Sequence, residues 1–147
     1  MRRPLLLLFS FALWLSACGS PKEGTNELVL VYLDGAIWLP AQDGRVACAY
    51  ESLGTDPEAG QQYLWAYCGE FSPEGDEIGG TTHPITLYYE DGIPVSHWAP
   101  DPFMDLSYAA ESVFPPEARR AVGGETDQRK RIERLQSAAA ERAEARA

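Results

Sequence analysis

Along the middle of this chain, short apolar runs are separated by turn formers, and a helical period emerges only after Pro100. The first run, residues 28–33 (LVLVYL), is followed by Asp34-Gly35 and a second run, residues 36–39. Two apolar runs around Asp-Gly predict a hairpin, because a type I′ turn needs positive φ at both central residues. Pro40 ends that strand, and Asp43-Gly44 forms a further turn before a strand over residues 45–51. The loop 54–60 leads to a strand at 62–68, and the loop 72–80 to one at 85–89. Asp91-Gly92 then turns the chain into 93–98, where Pro94 places that strand at an edge because proline cannot donate to a ladder.

Residues 102–113 carry Phe103, Met104, Leu106, Ala109, Ala110 and Val113 near a 3.6-residue period, with Asp101 as the expected N-cap. Pro115-Pro116 breaks this helix, and a short turn over 117–122 ends at Gly123-Gly124. The tail from Glu125 onward is rich in Ala, Glu and Arg, with only Ile132 and Leu135 as large apolar residues. Such a segment favours helix but has little to bury, so a solvated helical tail is expected. Strands followed by helices give an α+β fold. The expected architecture is an antiparallel β-meander of about five or six strands packed by a C-terminal helix, followed by a polar helical tail. The expected organisation is a leader at 1–17, a tether at 18–27, one domain at 28–122, and the tail at 123–147.

The leader adds a location. Arg2 and Arg3 precede an apolar run at 4–15, too short for the roughly 20 apolar residues of a membrane-spanning helix. A positive flank, a short apolar core and small residues form the layout of an export signal. Leu15-Ser16-Ala17-Cys18 resembles the lipobox of bacterial lipoproteins, a likeness that covers residues 1–18. The resemblance implies cleavage before Cys18 and acylation of that cysteine, which makes it an anchor rather than a catalytic thiol or a metal ligand. Several acyl chains hold a membrane firmly where one holds it only marginally. The expected location is the cell membrane or the outer membrane, facing periplasm or exterior. Gly19 stands where many lipoproteins retained at the inner membrane carry Asp, which favours the outer membrane where there is one.

Net charge sharpens the partner classes. Cleavage would leave 22 acidic residues against 10 basic ones, or −12. That balance disfavours nucleic acid, whose phosphates attract Lys and Arg patches. It suits a domain held off the membrane by the polar tether that follows Cys18.

The two remaining cysteines match across a turn. Strands folded about Glu58 pair residues whose numbers sum to 116, which sets Cys48 opposite Cys68, Tyr50 opposite Ala66 and Leu53 opposite Tyr63. Directly opposed strand residues come near disulfide range, and an exported chain resides where disulfides persist. Two reduced, buried thiols are the alternative reading.

Candidate chemistry is sparse. Pairing about Asp91-Gly92 sets His97 opposite Thr86 rather than His83, so the histidines do not suggest a metal site. No G-x-S-x-G motif is present, and the acidic run 74–77 lacks calcium-loop spacing. No cofactor site is expected. Alternation puts Tyr63, Trp65, Tyr67 and Phe71 on one strand face, a candidate surface for stacking on sugar or peptide if uncovered and a core if the 102–113 helix covers it.

The segments ACAYESLG, QQYLWAYCGEF, SHWAPDP and VFPPEAR, spanning about residues 45–120, are similar to an uncharacterised group of small bacterial envelope proteins. That group has strands, a D-G-x-x-Y segment and a closing F-P-x-x-[AV]-R; here Asp101-Pro102-Phe103 stands in place of Asp-Gly. The resemblance bears on fold and implies no activity. The expected function is a membrane-anchored binding or accessory module with an envelope protein or glycan partner. A small envelope enzyme such as a hydrolase is the alternative, and a structural subunit of an envelope complex is a third.

Overall fold

The computed structural model describes residues 24–37, 44–101 and 103–146. In chain order these form α1 (Glu27–Ala36), β1 (Arg45–Asp56), β2 (Gln61–Phe71), β3 (Glu77–Glu90), β4 (Ile93–Trp98), α2 (Leu106–Val113), α3 (Pro116–Val122) and α4 (Glu125–Ala145). The strands make one antiparallel sheet in the order β1-β2-β3-β4. The fold is therefore α+β with a C-terminal helix, and the described sheet has four strands rather than five or six.

The expected first hairpin is a helix instead. Asn26 caps α1 by accepting from the Leu28 N–H, and Val29, Leu30 and Leu33 face inward at the i, i+1, i+4 spacing of one helical face. Leu28 and Val31 remain exposed on the other side. A continuous apolar run carries no period that separates a buried strand from a helix, and here the cap and the packing decide. Of the expected second strand, Ala36 ends α1 and Ile37 is its C-cap, while Trp38 and Leu39 lie outside the described residues.

Both faces of β2 are buried, so the sheet is the middle layer of three. Against one face α1 packs Val29, Leu30 and Leu33 onto Cys48, Tyr50, Leu64, Ala66, Cys68, Ile85 and Leu87. Against the other, α2, α3 and α4 pack onto Ala47, Ala49, Tyr63, Trp65, Tyr67 and Phe71.

The expectation of a solvated tail is overturned. Helix α4 buries Arg131, Leu135, Ala139 and Ala143 at intervals of four, one stripe along a single face. Alanine gains little area on burial, yet its small side chain lets a helix lie close to a sheet. Ala47 and Ala49 of β1 belong to the same buried cluster. Helix α2 is also shorter than expected, starting at Leu106 with Asp105, not Asp101, as its cap. Asp101 instead accepts from the Phe103 N–H in the preceding turn.

The β1–β2 register sets Cys48 opposite Cys68 and Tyr50 opposite Ala66, as the sequence predicts. A bulge at Leu53 then shifts the ladder, so that Gly54 rather than Leu53 opposes Tyr63. Asp91 and Gly92 both have positive φ in the β3–β4 turn, the geometry that two-residue hairpins require. A shift between Tyr88 and Tyr89 moves His97 opposite Leu87, one place from the expected Thr86. Strand β4 is the sheet edge that Pro94 suggests.

Candidate functional site

The aromatic face of β2 is interior. Tyr63, Trp65, Tyr67 and Phe71 are 7%, 0%, 5% and 2% exposed, which excludes them as a stacking surface for sugar or peptide. The covering helices are chiefly α4 and α3, with α2 adding Ala110 and Phe114. Phe114 meets the Tyr63 ring edge-on. Each polar tip is satisfied inside the fold: Trp65 Nε1 donates to Thr82 Oγ1 at 2.8 Å, Tyr67 Oη to Glu77 Oε1 at 2.6 Å, and Tyr63 Oη to Gln61 Oε1 at 2.9 Å. A Cβ at Gly80 would collide with Tyr67 Oη, so glycine there makes room for the Tyr67–Glu77 bond. Burial and the Glu77 carboxylate both raise the Tyr67 pKa.

Cys48 and Cys68 form a fully buried disulfide on the α1 face, with Cα atoms 4.0 Å apart. The backbone of Cys48 is clasped from outside the sheet. Its N–H donates to Asp34 Oδ1 at 2.7 Å, and its carbonyl accepts from Arg142 Nη1 at 2.6 Å. Arg142 also pairs with Asp34, and Arg146 bonds both Asp34 and Glu27. Because β1 is an edge strand, this clasp closes part of an edge that would otherwise offer free backbone groups to another chain.

The two histidines are held apart. His83 on β3 sits opposite Ala66 and shares a hydrogen bond with Thr81 Oγ1, whereas His97 on β4 meets Tyr32 Oη of α1 at 2.9 Å. Burial lowers the pKa of both. Among the described residues no three His, Cys, Asp or Glu side chains converge as a metal site. Cys18 and the rest of the lipobox lie outside the described residues.

The chemistry that the structure does assemble is cationic. Glu51, 3% exposed, takes Arg131 Nε on Oε1 at 2.8 Å and Arg134 Nη2 on Oε2 at 2.6 Å. Arg131 spends its other two nitrogens on the last carbonyls of α3, with Nη1 to Val122 O at 2.6 Å and Nη2 to Ala121 O at 2.7 Å. Its guanidinium also stands 5.7 Å from the Trp65 ring centroid, within cation–π range. Over this floor opens a cleft of about 380 Å³ between α3 and α4, with Arg120, Lys130, Arg134 and Asp127 among its lining residues.

None of these residues stands out from the sequence alone, since each lies in a segment that reads as solvated or as a strand. One signal does point there. Residues 119–146 hold eight of the chain's 12 Lys and Arg but only five of its 22 Asp and Glu, a local +3 in a chain of −10. The arrangement lacks a nucleophile beside a base, and what it can do is hold an anion. Comparison with protein-family models, with curated proteins and with solved structures finds no match to this chain.

Proposed function

We propose that this chain is a lipid-anchored bacterial envelope protein whose α+β domain serves as a binding or accessory module. The observation that carries the reading is the lipobox-like Leu15-Ser16-Ala17-Cys18 behind a positive flank and a short apolar core. The Cys48–Cys68 disulfide supports it, because such bonds persist in oxidising compartments and are rare in the cytosol. Among the described residues no helix is long and apolar enough to cross a membrane, so attachment in this reading rests on acyl chains at Cys18.

The test is Cys18→Ala in the full chain. Fractionation should find the variant released from membranes or misplaced, and labelling with radioactive palmitate should disappear. Membrane retention equal to that of the parent would overturn the reading.

A further inference from the structure

We infer that the cleft between α3 and α4 is a binding site for a phosphate-bearing ligand. The cleft gathers Arg120, Lys130, Arg131 and Arg134 against Glu51 and Asp127, an excess of two positive charges. In an acidic chain, like charges brought together repel one another at a cost, and a bound anion offsets it. A phosphate monoester carries about −1.5 to −2 at neutral pH, which matches that excess where a single carboxylate would not.

The site is built from the inside outward. Glu51 fixes Arg131 and Arg134 through separate oxygens; Glu51 and Arg131 are almost fully buried, while Arg134 reaches out into the cleft and is exposed. Arg131 is further pinned to the Ala121 and Val122 carbonyls, so the floor is rigid and its cations are pre-placed. Arg134 gives only Nη2 to Glu51, which leaves its remaining N–H groups for a ligand. Arg120 and Lys130 are exposed on the rim, and among the described residues neither has an ion-pair or hydrogen-bond partner. Two guanidiniums and an ammonium around one small cleft suit the three oxygens of a phosphoryl group, with arginine supplying the planar fork. A volume near 380 Å³ falls within the range of small-ligand sites.

The described chain begins at Gly24, whose N–H donates to the carbonyl of Tyr50, next to Glu51 in the cleft floor. A soluble phosphate ester and a lipid headgroup would offer the same phosphoryl group to this cleft, and saturable binding of soluble phosphate separates the two.

The experiment uses full-length protein in neutral detergent, titrated with inorganic phosphate and pyrophosphate at constant ionic strength and followed by calorimetry and amide chemical shifts. Saturable binding is expected, with shifts concentrated at residues 120–134. The Arg120→Ala/Lys130→Ala double variant should bind at least about tenfold more weakly, since it loses two charge-assisted contacts. Its thermal unfolding should match the parent's, because both side chains are exposed. Arg129→Ala, which removes an exposed charge outside the cleft, should bind as the parent does. Phosphate effects indistinguishable from chloride, or equal affinity in the double variant, would overturn the site. Co-sedimentation with phosphatidylglycerol vesicles without saturable binding of soluble phosphate would overturn it as well, assigning the charge to a membrane surface.

Discussion

Arg131 Nε stands 2.8 Å from Glu51 Oε1, an ion pair between helix α4 and strand β1 whose side chains are 6% and 4% exposed. The pair joins two segments 80 positions apart and sits between the Trp65 ring and the last carbonyls of α3. Removing Arg131 strips the buried donor from Glu51 Oε1 and from the Ala121 and Val122 carbonyls and leaves Arg134 alone on Glu51 Oε2. Arg131→Met should therefore cost roughly 3–5 kcal/mol, a large part of a typical domain's 5–15 kcal/mol. Glu51→Leu/Arg131→Met should recover part of that loss, because a shape-matched apolar pair bears no desolvation penalty. Urea denaturation of the two variants checks both expectations, and a single variant as stable as the parent would refute the role of the pair.

Helix α4 supplies one wall of the core, so deletion of residues 125–147 should abolish cooperative unfolding. The milder Leu135→Ala should cost about 2–5 kcal/mol, the usual range for a buried leucine. Ala139→Leu should also destabilise, by about 1–3 kcal/mol, since the alanine is fully buried and the helix would have to lift to admit a larger side chain. Thermal melts of the three forms measure this, and a truncated chain that melts like the parent would show that α4 is dispensable.

The Cys48–Cys68 bond closes a separation of 20 residues, for which the chain-entropy model gives roughly 3 kcal/mol. Reduction should lower the melting temperature by on the order of ten degrees while far-ultraviolet circular dichroism at room temperature stays native. Because both cysteines have no exposure, the bond should resist mild reductant until the domain opens. Mass spectrometry after alkylation distinguishes the states, and two readily alkylated thiols in oxidised folded protein would contradict the pairing.

Acid should weaken the fold early. Burial lowers the pKa of His83 and His97 below the ordinary 6.5, so between that value and their folded values the unfolded chain binds more protons. The contribution of the neutral rings is present above pH 6.5 and is lost as pH falls through the folded values. Denaturation midpoints should therefore begin to decline as pH falls below about 6.5. His83→Gln/His97→Gln should flatten that slope, and an unchanged slope would assign it to other groups. At the alkaline end the sign reverses. Burial raises Tyr50, Tyr63, Tyr67 and Tyr89, so their contribution is complete below pH 10 and is lost above it, with delayed tyrosinate absorbance as the readout.

The β1–β2 hairpin was readable in the residues, because strand alternation and a loop between matched runs set a register that Cys48 and Cys68 obey. So were the edge position of β4, from Pro94, the Asp91-Gly92 turn and the stop at Gly123. These are local rules, in which a backbone angle or a missing donor acts within a few residues. Tertiary structure decided the rest. Residues 28–33 are apolar on every side, so only the Asn26 cap and the sheet face beneath them select helix over strand. The bulges at Leu53 and Val95 shift the ladder by one place, which alternation alone does not reveal. Ala139 and Ala143 become core because Ala47 and Ala49 let α4 approach, a complementarity between segments some 90 residues apart. The cationic cleft has the same origin: Glu51, Arg120, Lys130 and Arg134 acquire a common site only when α3 and α4 fold over β1, since charge along a chain has no direction until packing gives it one.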